Sequence, residues 1–272
     1  MCRWIAYSGP PIYPESLLLL PENSLIRQSH SARYAVNPTN ADGCGFGWYG
    51  ERAEPGLFRD VLPAWNDENL ISIARQVKTR LFFAHVRAAT FGPIQRSNCH
   101  PFGHANWLFM HNGGIGGYET VRRRLETLVA ADLYNARMGT TDSETIFLLL
   151  LTNGLREDPE GAFRVTVEQV ETVMREAGVS EPLRLTAAAT DGETIYAIRY
   201  ASDDRAPTLY VGHSSPSGRA GEHGPAIMVL SEPLDSDASD WREVGMSRFL
   251  VACGGGFEDR AFAVAGHPAP GR

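Results

Sequence analysis

The sequence predicts a single α+β domain, and three observations carry that expectation. Strand-like segments gather toward both ends of the 272-residue chain, while its middle is helical. The 27 Gly and 17 Pro are spread along the chain as turn punctuation and do not collect into a linker. No internal repeat interrupts the pattern. At about 150 residues per domain, length alone leaves one or two domains open, and the even punctuation favours one.

The elements follow in order. Cys2 to Tyr7 alternates and stops at Gly9-Pro10-Pro11, which predicts a strand starting almost at the first residue. Strands are expected next at Cys44 to Tyr49, Arg80 to Ala89 and Asn106 to His111. Helices are expected over Asn66 to Lys78 and Tyr118 to Ala130. Thr141-Asp142-Ser143-Glu144 reads as a capping box opening a helix through Ile146 to Leu151. Asp158 followed by Pro159 is a strong helix start. Phe163, Val167, Val170 and Met174 then form one apolar stripe that should pack on a sheet. Leu183 to Thr190 and Thr194 to Tyr200 are joined by Asp191-Gly192, a hairpin signal. Thr208 to Gly212, Ala226 to Leu230, Phe249 to Cys253 and Ala261 to Val264 complete the strands.

Composition excludes several function classes. A hydrophobic fraction of 43% with 21% charged residues is that of an ordinary globular chain. The net charge of −7 argues against a phosphate-backbone partner, so nucleic acid is not expected. The runs Leu17 to Leu20 and Ile146 to Leu151 fall far short of the roughly 20 residues a membrane helix needs, and no membrane partner is expected. Cys2, Cys44, Cys99 and Cys253 are too scattered for a disulfide scaffold and form no CxxC pair, which predicts reduced thiols in a cytoplasm and no metal site.

Four places could hold chemistry, each with a plainer alternative. Cys2 follows an initiator Met; were Met1 removed, one residue would carry both a thiol and an α-amine with a pKa near 8, able to take the thiol proton. The alternative is a small apolar residue opening a buried strand. Arg87, in Ala84-His85-Val86-Arg87-Ala88-Ala89-Thr90, places a cation in an apolar strand, where it needs an anion: a substrate carboxylate or one of the chain's own acids. Asn112 and Gly113 end an apolar strand with an amide and an approachable N–H, the two parts of an oxyanion hole, or else a simple turn. Asp142 at a helix start either receives a substrate ammonium or only complements the dipole. His100 and His104 lack the spaced partners zinc needs, and His213 with Ser214 lacks a nucleophile elbow.

In sequence these segments are ordered as Cys2, then His85 to Thr90, His100-Pro101-Phe102, His111-Asn112-Gly113 and Thr141 to Glu144. That order resembles the class II glutamine amidotransferase domain, an N-terminal-nucleophile hydrolase. Asn40 to Trp48 is similar to the Asp-Gly-x-Gly strand of its stand-alone branch, and Ser231-Glu232-Pro233-Leu234 with Trp241 is similar to that branch's C-terminal signature. The stand-alone branch includes small amidotransferases and the γ-glutamyl amidohydrolase of ergothioneine biosynthesis. Two positions differ: Ala88 follows Arg87 where synthase-linked members often carry an aromatic residue, and Cys44 stands where Trp or Ile is usual.

The resemblance implies a four-layer αββα sandwich of two mainly antiparallel sheets, forming one type-2 amidotransferase domain over residues 2–272. It implies that Cys2 attacks a γ-carboxamide, with Asn112 and Gly113 stabilising the oxyanion. Arg87 would pair with the substrate α-carboxylate and Asp142 with its ammonium, while Thr90 and His100 would add substrate contacts. No cofactor is implied. The implied substrate is glutamine or a γ-glutamyl metabolite, and ammonia could pass to a separate synthase. A non-catalytic glutamine-sensing subunit that keeps Met1 is the competing reading.

Overall fold

A computed structural model describes residues 2–35, 38–90, 92–213, 226–237 and 240–265. Met1, Ser214 and the last seven residues of the expected domain lie outside them. In chain order, β1 (Arg3–Ile12) leads to two short helices, α1 (Glu15–Leu18) and α2 (Leu25–His30). The paired strands β2 (Cys44–Trp48) and β3 (Gly56–Asp60), helix α3 (Glu68–Gln76) and β4 (Thr79–Val86) follow. Next come the pair β5 (Phe102–His104) and β6 (Trp107–Ile115), then helices α4 (Tyr118–Glu126), α5 (Asp142–Thr152) and α6 (Pro159–Glu176). The hairpin β7 (Leu183–Thr190) and β8 (Ile195–Ala201), then β9 (Tyr210–Gly212), β10 (Ile227–Leu230), β11 (Trp241–Glu243), β12 (Arg248–Cys253) and β13 (Gly256–Ala261) complete the order.

Two antiparallel sheets result. The first has the order β11-β9-β10-β1-β4-β2-β3 and the second β13-β12-β8-β7-β6-β5. Strand alternation sends each side chain to one of two faces, and three separate apolar clusters follow. Trp4, Ala6, Leu81, Phe83, Leu108 and Met110 fill the space between the sheets. Ile5, Tyr7, Phe82 and Ala84 point outward to Leu17, Leu25 and Leu70 of α1 to α3. Phe109, Leu185 and Ile198 point the other way, to Phe147, Phe163 and Val167 of α5 and α6. The layers are therefore helix, sheet, sheet and helix, the αββα sandwich.

Local chemistry fixes the long helices. Asp158 accepts the Gly161 N–H and Pro159 occupies the first turn of α6, whose Phe163, Val167, Val170 and Met174 are all buried. Phe163 is fully enclosed and meets Phe249 edge-on at 5.6 Å between ring centroids. Phe163→Ala is expected to cost about 3–5 kcal/mol, read as a lower denaturant midpoint at unchanged m. Thr141 caps α5 by accepting the Glu144 N–H, but only half of the capping box forms. The Glu144 carboxylate turns instead to the N–H groups of Met138 and Gly139, closing the preceding loop.

Several expected boundaries move for identifiable reasons. β1 continues through Gly9-Pro10-Pro11 to Ile12, because its register with β4 breaks between Ser8 and Ile12, where prolines need no ladder donor. α3 starts at Glu68, not Asn66, because Asp67 accepts the Leu70 N–H as cap. α4 ends at Glu126, not Ala130, whose N–H is taken by the Thr152 hydroxyl. The last strand is Gly256–Ala261, not Ala261 to Val264: Gly254 and Gly255, at φ +59° and +78°, form the two-residue turn that returns β12 as β13. β6 runs through Gly113 and Gly114 to Ile115, so the Asn-Gly-Gly segment is strand and not turn. Among the described residues no helix is long and apolar enough to cross a membrane.

Candidate active site

The site is built on the adjacent ends of β1 and β4 and on β6 of the facing sheet. Arg3 pairs with Val86, so continuing the register sets Cys2 beside Arg87. The Cys2 sulfur is partly buried; it accepts the Ala88 N–H at 3.5 Å and lies 3.6 Å from the Ala88 carbonyl. Burial pushes the Cys2 thiol up. The Ala88 contact and the charges of Arg87 and Arg3 act in the opposite direction without overcoming it. At neutral pH the sulfur is therefore a thiol that needs a base to become a nucleophile.

Arg87 is buried at 3% exposure and clasped by the 42–43 turn. Its N–H donates to Gly43 O at 2.8 Å, its Nη1 to Asp42 O at 3.4 Å, and the Asp42 carboxylate accepts the Ala89 N–H at 2.8 Å. Only glycine fits at 43: φ is +120° and a Cβ would lie 2.6 Å from the Cys99 sulfur. The turn fixes the backbone that presents Arg87, a role the Asp42-Gly43 pair signalled in sequence only as a motif.

Across the gap, Asn112 shares the inward face of β6 with Leu108 and Met110. Strands β4 and β6 meet between the sheets, where Leu81 and Phe83 of β4 share one apolar cluster with Leu108 and Met110 of β6. Asn112 is 1% exposed, yet neither its Oδ1 nor its Nδ2 has a hydrogen-bond partner among the described residues. A buried amide left this way is costly unless a ligand completes it. Gly113 adopts φ +147°, and a Cβ there would lie 1.9 Å from Arg184 O, so the backbone needs glycine. Asp142, the first residue of α5, accepts the N–H groups of Ile115 at 2.9 Å and Ser143 at 2.8 Å, which holds its carboxylate over the end of β6.

The other expected residues stand differently. His100 is buried, its ring 4.2 Å from that of His85 and 4.7 Å from that of Phe102. Burial holds His85 down to about 3 and His100 well below its ordinary value, so both imidazoles are neutral. Thr90 is exposed on the loop after β4. His111 points away from the gap, where its ring meets the Ser143 hydroxyl at 2.9 Å and Arg184 O at 3.1 Å, tying β6 to the start of α5. The arrangement thus offers a thiol, a cation, an unpartnered amide with an adjacent glycine, and a carboxylate. Together these can read a zwitterionic head group and attack an amide beside it.

The profile of the family described as glutamine amidotransferases class-II matches residues 22–216. The probable glutamine amidotransferase DUG3 of Saccharomyces cerevisiae is 34% identical over 92% of this chain and 81% of its own length. The γ-glutamyl-hercynylcysteine sulfoxide hydrolase of Mycolicibacterium smegmatis is 30% identical over 90% of this chain and 92% of its own. Among solved structures, a glutamine aminotransferase class-II domain protein from Silicibacter pomeroyi superposes with a TM-score of 0.76. It is 37% identical, covering 96% of this chain and all of that one. The glutamine phosphoribosylpyrophosphate amidotransferase of B. subtilis shares the fold at 15% identity and a TM-score of 0.65, over 96% of this chain and 49% of its own. The chain belongs to the class-II glutamine amidotransferases, enzymes of the amidohydrolase type.

Proposed function

We propose that this chain, with Met1 removed, hydrolyses the γ-carboxamide of glutamine or of a γ-glutamyl amide through a thioester on Cys2. The observation that carries the reading is the Cys2 thiol set beside Arg87, together with a buried Asn112 amide whose side chain has no hydrogen-bond partner among the described residues. The freed α-amine takes the thiol proton as sulfur adds to the γ-carbonyl carbon. Asn112 Nδ2 and the Gly113 N–H receive the oxyanion. Collapse breaks the C–N bond, the α-ammonium returns the proton to the leaving nitrogen, and ammonia or an amine departs. Water, deprotonated by the same amine, then cleaves the thioester to release glutamate and restore the thiol.

Arg87 binds the substrate α-carboxylate and Asp142 its α-ammonium, so the head group is fixed at two ends while the chemistry occurs at the third. Thr90, on the exposed loop after β4, and His100, packed against His85, add further substrate contacts. A working thiol needs a reducing compartment, and the four free cysteines fit a cytoplasmic location for the whole 2–272 domain. If glutamine is the substrate, the ammonia passes to a separate synthase; if a γ-glutamyl metabolite is, no partner is needed.

Glutamate release from glutamine and from a panel of γ-glutamyl amides, with the processed protein alone, tests this. Turnover of at least one supports the reading, and none with any would sink it. Arg87→Gln and Asp142→Asn are each expected to raise KM about 10- to 100-fold, the loss of one charge-assisted hydrogen bond. Unchanged KM in either variant would remove that residue from the head-group site.

A further inference from the structure

The segment Ser231-Glu232-Pro233-Leu234, conspicuous in the sequence, touches none of the reacting atoms above, yet it is fastened to the residues that follow Cys2. Strand β10 pairs with β1 so that Ile5 faces Leu230. Continuing that register sets Ser231 opposite Trp4 and Glu232 opposite Arg3. The contacts follow suit. Ser231 Oγ accepts the Trp4 N–H at 3.1 Å, and the Ser231 N–H donates to Trp4 O at 3.0 Å. Arg3 Nε lies 3.3 Å from Glu232 Oε1, with both side chains wholly shielded from solvent.

The segment is itself held from several sides. The Glu232 carboxylate accepts the N–H groups of Arg33 and Tyr34, each at 2.9 Å. Asn23 donates from its side chain to Pro233 O at 2.7 Å and from its backbone to Leu234 O at 2.8 Å.

A fully buried ion pair is a poor way to gain stability, because desolvation offsets the attraction and a packed apolar pair does as well. Its place in the chain gives another reason for it. A residue that becomes the chain terminus has no backbone on one side, and termini fray unless tied down. Nothing upstream can then orient Cys2, so its position is set from Arg3 onward: by Val86 on one flank, and by Ser231 and Glu232 on the other.

We propose that Glu232, through Arg3, and Ser231 are positioning residues that hold the Cys2 thiol and α-amine in register with Ala88 and Asn112. The inference rests on the nucleophile role of Cys2 given above. Small displacements matter at such a site, since a reacting atom out of place by about 1 Å can cost about 100-fold in rate.

The test uses the full, Met1-processed chain and whichever γ-carboxamide substrate it turns over. In Glu232→Gln, which keeps the size and one acceptor oxygen, enough for only one of the Arg33 and Tyr34 N–H groups, kcat is expected to fall at least about 30-fold while KM stays within about 3-fold. A merely structural role would instead lower the active fraction or the melting temperature without that split. A folded Glu232→Gln with kcat within about 3-fold of the parent, or with KM rising as kcat falls, overturns the proposal.

Should that variant not fold, Ser231→Ala decides. A fall in kcat of about 5-fold at constant KM supports the proposal, and an unchanged kcat overturns it. Cys2→Ala is assayed in parallel. If it keeps activity, the nucleophile assignment fails and the positioning role fails with it. If it is inactive while Glu232→Gln and Ser231→Ala are fully active, the positioning role alone is wrong.

Discussion

Cys2→Ala is expected to lower kcat for γ-carboxamide hydrolysis by at least about 1,000-fold, since no other group replaces an attacking thiol. The remaining thiols are poor substitutes: Cys44 and Cys99 are buried, and burial pushes Cys99 up to about 11. Cys253, though exposed, lies on β12 next to the Gly254-Gly255 turn, in the second sheet and away from Arg87. The same variant should still bind glutamine, because Arg87 is anchored by Asp42 and Gly43 and Asp142 by the backbone of β6, neither through Cys2. Calorimetric titration of Cys2→Ala with glutamine checks this. Loss of both binding and turnover would mean that Cys2 holds the site together and would leave its chemical role unsupported.

The second large effect concerns Asn112. Removing one oxyanion donor typically costs about 100- to 1,000-fold in kcat, and Asn112→Ala is expected to fall in that range with KM changed only a few-fold. Stability should hardly suffer. The Asn112 side chain forms no hydrogen bond among the described residues, so truncation breaks none and relieves a buried amide of its desolvation cost, leaving unfolding free energy within about 1 kcal/mol of the parent. A large kinetic loss at constant stability marks a residue kept for the transition state. A drop of several kcal/mol in stability would show instead that Asn112 supports the sandwich.

What could be read from the sequence was whatever is encoded locally. Thr141 and Asp158 cap their helices by short-range hydrogen bonds, so α5 and α6 are visible in a few residues. Arg87, Asn112 and Asp142 stand out because a cation, an amide and a carboxylate in apolar or capping positions each ask for a partner. The four-layer order came only through the family resemblance, since two sheets stacked face to face leave the same alternation in sequence as many other β-rich folds.

The misses are features decided at a distance. Three-residue strands such as β5 and β11 have no periodicity of their own and exist because β6 and β9 pair with them. The Gly254-Gly255 turn was legible in principle, yet the strand it closes carries the charged run Glu258-Asp259-Arg260 along a sheet edge. His111 differs from Asn112 by one place, and strand alternation alone sends it to α5 and its neighbour to the gap. The union of Arg3 with Glu232 crosses nearly the whole chain, and no local pattern encodes it.

One measurement bears on the central claim most directly. The protein purified from cells is treated with a glutamine analogue carrying an electrophile at the γ-carbon, then weighed intact and mapped by peptide mass. The account predicts one adduct per chain, carried by the Cys2 sulfur of a chain that lacks Met1, and loss of turnover in step with labelling. Full retention of Met1 with no adduct, or an adduct confined to Cys44, Cys99 or Cys253, would contradict it.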